Sequence, residues 1–145
     1  MKIKCTAVTG MLVCCLMMAN LAWAVPGVPD GTVTDGNLVW LQNADCFGEL
    51  NLNDAKSRAA SLKSGACGLT DGSNSGDWRL PTIEELKSRQ KNQQGFYNVQ
   101  SNYYWSSTIY GGNPNWAYAV VMRFDLVKGS KGSHKLFVWP VRAVK

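Results

Sequence analysis

The chemistry open to this chain rests on a few residues: Cys46 and Cys67, the single histidine His134, and a scatter of carboxylates. A zinc site needs about four Cys, His or carboxylate ligands, and one histidine with no CxxC does not supply them. Glu84 and Glu85 invite a carboxylate pair for acid–base work. Adjacent helical residues point about 100° apart, so the two do not share a face. Asp71, Ser73 and Ser75 alternate as in a calcium loop, with Gly76 at the sixth place. The twelfth place is Thr82 rather than the bidentate glutamate of an EF-hand, so that type of site is not expected, while other oxygen-rich calcium sites stay open. There is no GxSxG elbow, HExxH, P-loop or GxGxxG. The expectation is a protein that is not an enzyme, with no metal site and no cofactor.

The compartment decides what the cysteines do. Lys2 and Lys4, the apolar run Met11–Met18 and Ala22-Trp23-Ala24 follow the order of a cleavable secretory signal. The expected organisation is a signal peptide over residues 1–24 and one domain over residues 25–145, extracytoplasmic, with no membrane span after cleavage. The leader takes Cys5, Cys14 and Cys15 with it. Cys46 and Cys67 then form an even pair in an oxidising compartment, and a disulfide between them is expected. The net charge of +5 falls by two when Lys2 and Lys4 leave. Such mild basicity says little about partners, and nucleic acid is not expected among them.

These residues need elements to place them. Thr32–Thr34 and Leu38–Leu41 around Asp35-Gly36-Asn37 predict a β-hairpin. Asn51 to Ser64 predicts a helix capped by Asn51 or Asn53, with Ala55, Ala59 and Leu62 on one face and Gly65 as its stop. Thr82 and Glu85 form a capping box for a short helix to about Asn92. Strands are expected at Tyr103–Ser107, Trp116–Phe124 and Lys135–Arg142, with Lys128–Ser133 as a turn and Pro140 at an edge or bulge.

Four segments carry a family resemblance. Thr32–Asp35 through Leu38–Trp40, Asp77-Trp78-Arg79-Leu80-Pro81-Thr82 with Glu85-Leu86, Tyr104–Thr108, and Val138–Arg142 stand in the order and spacing of the Lcl C-terminal domain family. The chain resembles that family over nearly all of residues 31–143. The resemblance implies an α+β, C-type-lectin-like fold with two helices, a small antiparallel sheet and long loops. It also implies an adhesive or binding role, with sulfated glycans as one ligand class. Trp139 stands where the family often has arginine, which is expected to remove a positive charge from any polyanion site.

In such folds the second half of the chain carries the variable loops. Tyr110, Asn113, Asn115 and Trp116 are the candidates there for sugar binding, because aromatic faces stack on sugar rings and amides bond hydroxyls. Trp105 is expected in the core instead. Arg123, Lys128, Lys131 and Lys135 are candidates for sulfate or carboxylate groups, with Lys128 and Lys131 expected to form a basic turn tip. A solubilising turn explains the same lysines. Arg79 and Arg142 are expected in structural ion pairs. Two partner classes follow: glycans bound by an exported adhesion module, or a surface protein bound by a structural subunit.

Overall fold

The computed structural model describes residues 29–145, so the expected leader lies outside the described residues. In chain order the elements are β1 (Thr32–Asp35), β2 (Leu38–Leu41), β3 (Glu49–Leu50), α1 (Leu52–Ser61), α2 (Ile83–Lys91), β4 (Tyr103–Tyr110), β5 (Asn113–Val121), β6 (Val127–Lys131), β7 (Leu136–Phe137) and β8 (Val141–Ala143). The strands form two sheets, β1-β2-β8 and β3-β7-β4-β5-β6. All pairings are antiparallel except β4 with β7. The fold class is α+β.

Local chemistry accounts for the helices. The Asn51 side chain accepts a hydrogen bond from the Asp54 amide at 2.9 Å, capping α1. Ala55 and Ala59 are buried along one face, with Leu62 just beyond. The helix stops before Gly65, because the Leu62 N–H turns back to the Ala59 carbonyl at 3.1 Å. Both halves of the capping box at α2 are made, with Thr82 N–H donating to Glu85 at 2.7 Å and Glu85 N–H to the Thr82 hydroxyl at 3.3 Å.

The centre of the five-stranded sheet is buried on both faces. Successive strand residues point to opposite sides. Tyr104 and Val120 join Trp40, Leu86, Trp139 and Val141 on one face. Trp105, Ala117 and Ala119 pack with Leu52, Ala55 and Ala59 of α1 on the other. Trp105 is buried as expected, and its indole N–H donates to the Leu50 carbonyl at 2.7 Å.

Several strand boundaries differ from those the sequence predicts. β4 runs to Tyr110 and β5 starts at Asn113, because each completes the other's ladder across a tight turn. Lys128–Lys131 lie in β6 rather than in a turn. β5 supplies their cross-strand partners, and this non-local pairing overrides a Gly/Ser-rich local composition. Lys135–Arg142 is not one strand. Pro140 has no N–H to donate and separates β7 from β8, which join different sheets.

Cys46 and Cys67 form the expected disulfide, with Cα atoms 5.7 Å apart. It ties the segment after β2 to the loop after α1. Cys46→Ala with Cys67→Ala should lower stability by roughly 3 kcal/mol through loop closure. Urea unfolding under oxidising conditions measures this, and adding reductant to the wild type should reproduce the variant's midpoint.

Candidate functional site

The β4–β5 turn is two glycines long. Gly111 and Gly112 take φ of 62° and 71°, the positive values a two-residue hairpin needs at both central positions. The turn sets Tyr110 opposite Asn113. Along β5, Ala117 and Ala119 face α1, so Trp116 and Tyr118 face the other way. The Tyr110 ring lies 6.2 Å from Trp116, and edge-on at 5.1 Å from Tyr118. Its position depends on Gly129 of β6, where a Cβ would sit 2.4 Å from the ring. Glycine there lets the tyrosine lie across the strand.

The result is an open cleft of about 210 Å³ lined by Tyr110, Gly111, Asn113 and Trp116. Tyr110 is 41% exposed. The Asn113 side-chain oxygen accepts from the Asn115 amide at 3.0 Å, which leaves its NH₂ directed to other partners. Three of the expected sugar-binding residues therefore meet at one cleft. Asn115 lines a separate cleft of about 420 Å³ together with Lys131. Tyr118, which props Tyr110, is not among the expected residues. Its two-residue spacing from Trp116 on one strand is the signal that points to it.

The four expected cations do not converge. Lys128 places its ammonium 3.9 Å from the centre of the Tyr103 ring, a cation–π contact. Lys131 pairs in register with Trp116. Both lie on β6, the edge of its sheet, where lysine also discourages pairing with another chain. Arg123 follows the far end of β5, and Lys135 sits in the loop before β7. The expected basic turn tip does not form, because its two lysines belong to a strand.

The remaining polar residues have structural partners. The calcium-like loop is committed elsewhere, since Asp71 accepts from the Ser73 hydroxyl at 2.7 Å and from Arg142 at 2.9 Å. Burial pushes the Asp71 carboxyl up, but the hydrogen bonds from Ser73 and Arg142 outweigh it and hold it below its ordinary value. Glu85 receives two hydrogen bonds from Arg79, at 2.9 and 2.8 Å. That pairing, with the bonds from Thr82, holds the Glu85 carboxyl below its ordinary value despite burial. Among the described residues Glu84 reaches only Lys87, at 3.5 Å. Arg89, buried beneath Trp40 and Phe96 and paired with Asp35, is a further residue that sequence patterns do not reveal. The His134 Nδ1 lies 2.9 Å from the Ser130 hydroxyl. Ser130 is 1% exposed, which denies it the access a nucleophile needs. Among the described residues no cluster of three or more His, Cys, Asp or Glu could hold a metal. No helix there is long and apolar enough to cross a membrane.

No curated protein matches the chain. The family model of the Lcl C-terminal domain matches residues 31–142. That span runs from the residue before β1 into β8 and takes in both sheets, both helices and the aromatic cleft. The chain belongs to the Lcl C-terminal domain family.

Proposed function

We propose that this protein is an exported, non-catalytic module of C-type-lectin-like type that binds glycans at the Tyr110–Trp116 cleft. The supporting observation is the pair of partly exposed rings beside the Asn113 amide, held by a Gly-Gly turn and by Gly129. An aromatic face beside an amide suits a sugar ring, which offers C–H groups to one and hydroxyls to the other. Acidic or sulfated glycans are the favoured subset, because Lys131 is the register partner of Trp116. A glycan array with the mature protein tests this. Trp116→Ala should weaken any bound glycan about tenfold. Gly129→Ala should also weaken it, by displacing Tyr110. Lys128→Ala with Lys131→Ala should reduce salt-sensitive retention on heparin. Absence of any array signal, or full binding by Trp116→Ala, would overturn the reading.

A structural or protein-interaction role is the second reading. Phe124 and Leu126, 60% and 55% exposed between β5 and β6, favour it. Gln90 of α2 holds this loop through the Val121 and Phe124 carbonyls, at 2.7 and 2.9 Å. Under this reading Phe124→Ser abolishes a defined partner or self-association in size-exclusion chromatography, and glycan retention is absent.

A further inference from the structure

We infer that the loop between β5 and β6 docks the domain on a bilayer of anionic phospholipid, with Phe124 and Leu126 entering the headgroup boundary. The inference goes beyond the glycan reading and does not depend on it. The aromatic cleft lies at the start of β5 and the loop beyond its end. The strand alone sets Trp116 and Val121 roughly 17 Å apart, so a docked domain keeps the cleft clear of the lipid.

Arg123, Phe124, Asp125 and Leu126 are exposed in succession. Phe124 and Leu126, at 60% and 55%, are the most exposed large apolar side chains among the described residues. Single exposed apolar groups are ordinary, but two on one loop tip gain by leaving water together. The loop is held in this form. Val121 N–H donates to the Leu126 carbonyl at 3.2 Å, and Leu126 N–H to the Phe124 carbonyl at 2.7 Å. From α2, Gln90 holds the Val121 and Phe124 carbonyls. Gln93, just past the helix, holds the Met122 carbonyl at 3.0 Å. A tip fixed before contact loses little conformational entropy on insertion.

The charge around the tip selects the surface. Arg123 is exposed, and so is Lys91, which ends α2 between the two glutamines that hold the loop. Neither has an ion-pair partner among the described residues. Lys128 is exposed two residues past Leu126, and Asp125 is the one carboxylate in the loop. Three cations against one carboxylate complement anionic headgroups. A protein partner fits less well. A stable interface covers roughly 800 Å² on each side, and two side chains at a loop tip supply a small part of that. Docking of this kind is peripheral and reversible.

Co-sedimentation of the mature protein with vesicles tests this, comparing phosphatidylcholine alone with an equal mixture of phosphatidylcholine and phosphatidylglycerol. The wild type should bind the mixed vesicles about tenfold more strongly, and added salt should erase the difference. Phe124→Ser with Leu126→Ser should weaken binding to the mixed vesicles about tenfold. Arg123→Ser with Lys91→Ser should remove the preference for phosphatidylglycerol. Both variants should unfold thermally like the wild type, since all four side chains are exposed, so a loss of binding is not a loss of fold. Trp116→Ala should sediment like the wild type, whatever it does to glycan binding. No sedimentation with the mixed vesicles, or full binding by the Phe124/Leu126 variant, overturns the inference and leaves the glycan reading standing. Loss of vesicle binding in Trp116→Ala would move the lipid contact to the aromatic cleft and also overturn it. Self-association that Phe124→Ser abolishes, without vesicle binding, assigns the loop to a protein partner instead.

Discussion

Arg142→Ala is expected to destabilise the domain by about 3–5 kcal/mol, the cost of leaving one partner of a buried ion pair alone. The Asp71 side chain is 1% exposed and that of Arg142 is 11% exposed. The guanidinium gives Asp71 two hydrogen bonds, at 2.9 and 3.2 Å, and lies 5.3 Å from the Trp78 ring centre. Trp78 in turn donates to the Ser73 hydroxyl at 3.0 Å. Removing the arginine therefore strands a carboxylate and uncovers an indole at once. Asp71→Asn in the Arg142→Ala background should restore part of the loss, because it removes the unpaired charge. Urea unfolding of the four proteins in the cycle measures the coupling. No coupling would show the pair to be structurally idle.

The same pair sets a pH dependence. The folded Asp71 carboxyl sits below its ordinary value. Its contribution is therefore present above the unfolded carboxylate range of about pH 4 and is lost as pH falls through the folded value. Glu85, also depressed, adds in the same direction. The wild type should lose stability on acidification. Its lead over Arg142→Ala should narrow, because protonation relieves the stranded carboxylate in the variant. A lead that stays constant between pH 7 and pH 3 contradicts this.

Trp139→Ala should cost about 3–5 kcal/mol, the range for truncating a large buried aromatic. Trp139 is 0% exposed. Its ring centre lies 4.9 Å from Phe96, 5.5 Å from Trp40 and 5.6 Å from Tyr104. Its indole N–H donates to the Leu41 carbonyl at 2.8 Å, tying the segment between β7 and β8 to β2. Trp139→Phe should cost less, retaining ring contacts but losing that hydrogen bond. Thermal unfolding should order the three proteins as wild type, Phe, Ala. An equal loss for both variants would assign the effect to the hydrogen bond alone. This burial also corrects the expectation drawn from the family's arginine: position 139 faces the core, so tryptophan there removes no charge from a ligand surface.

Features that depend on neighbours in the chain are legible in the sequence alone. The Asn51 and Thr82 caps, the Ala55–Ala59 face and the β1–β2 hairpin each need only a few consecutive residues, and each forms as expected. The disulfide follows from counting cysteines under an assumed compartment. The strands of the second half are less legible. Val127–Lys131 is poor in local strand signal and becomes a strand because β5 lies beside it. Lys135–Arg142 looks continuous and is divided between two sheets, with Pro140 in the break between β7 and β8.

The candidate site divides along the same line. Residue types and loop placement single out Tyr110, Asn113 and Trp116, because a Gly-Gly turn keeps its flanking residues together. Only tertiary structure sets Tyr118 against Tyr110, brings in Gly129, joins Asn115 to the start of α1, and scatters the cations. Those relations depend on which strands pair and in what register, and register is set by packing between residues far apart in the chain. By itself the sequence determined the family, the caps and the chemistry present. The pairing of β4, β5 and β6 decided which of those groups share a surface.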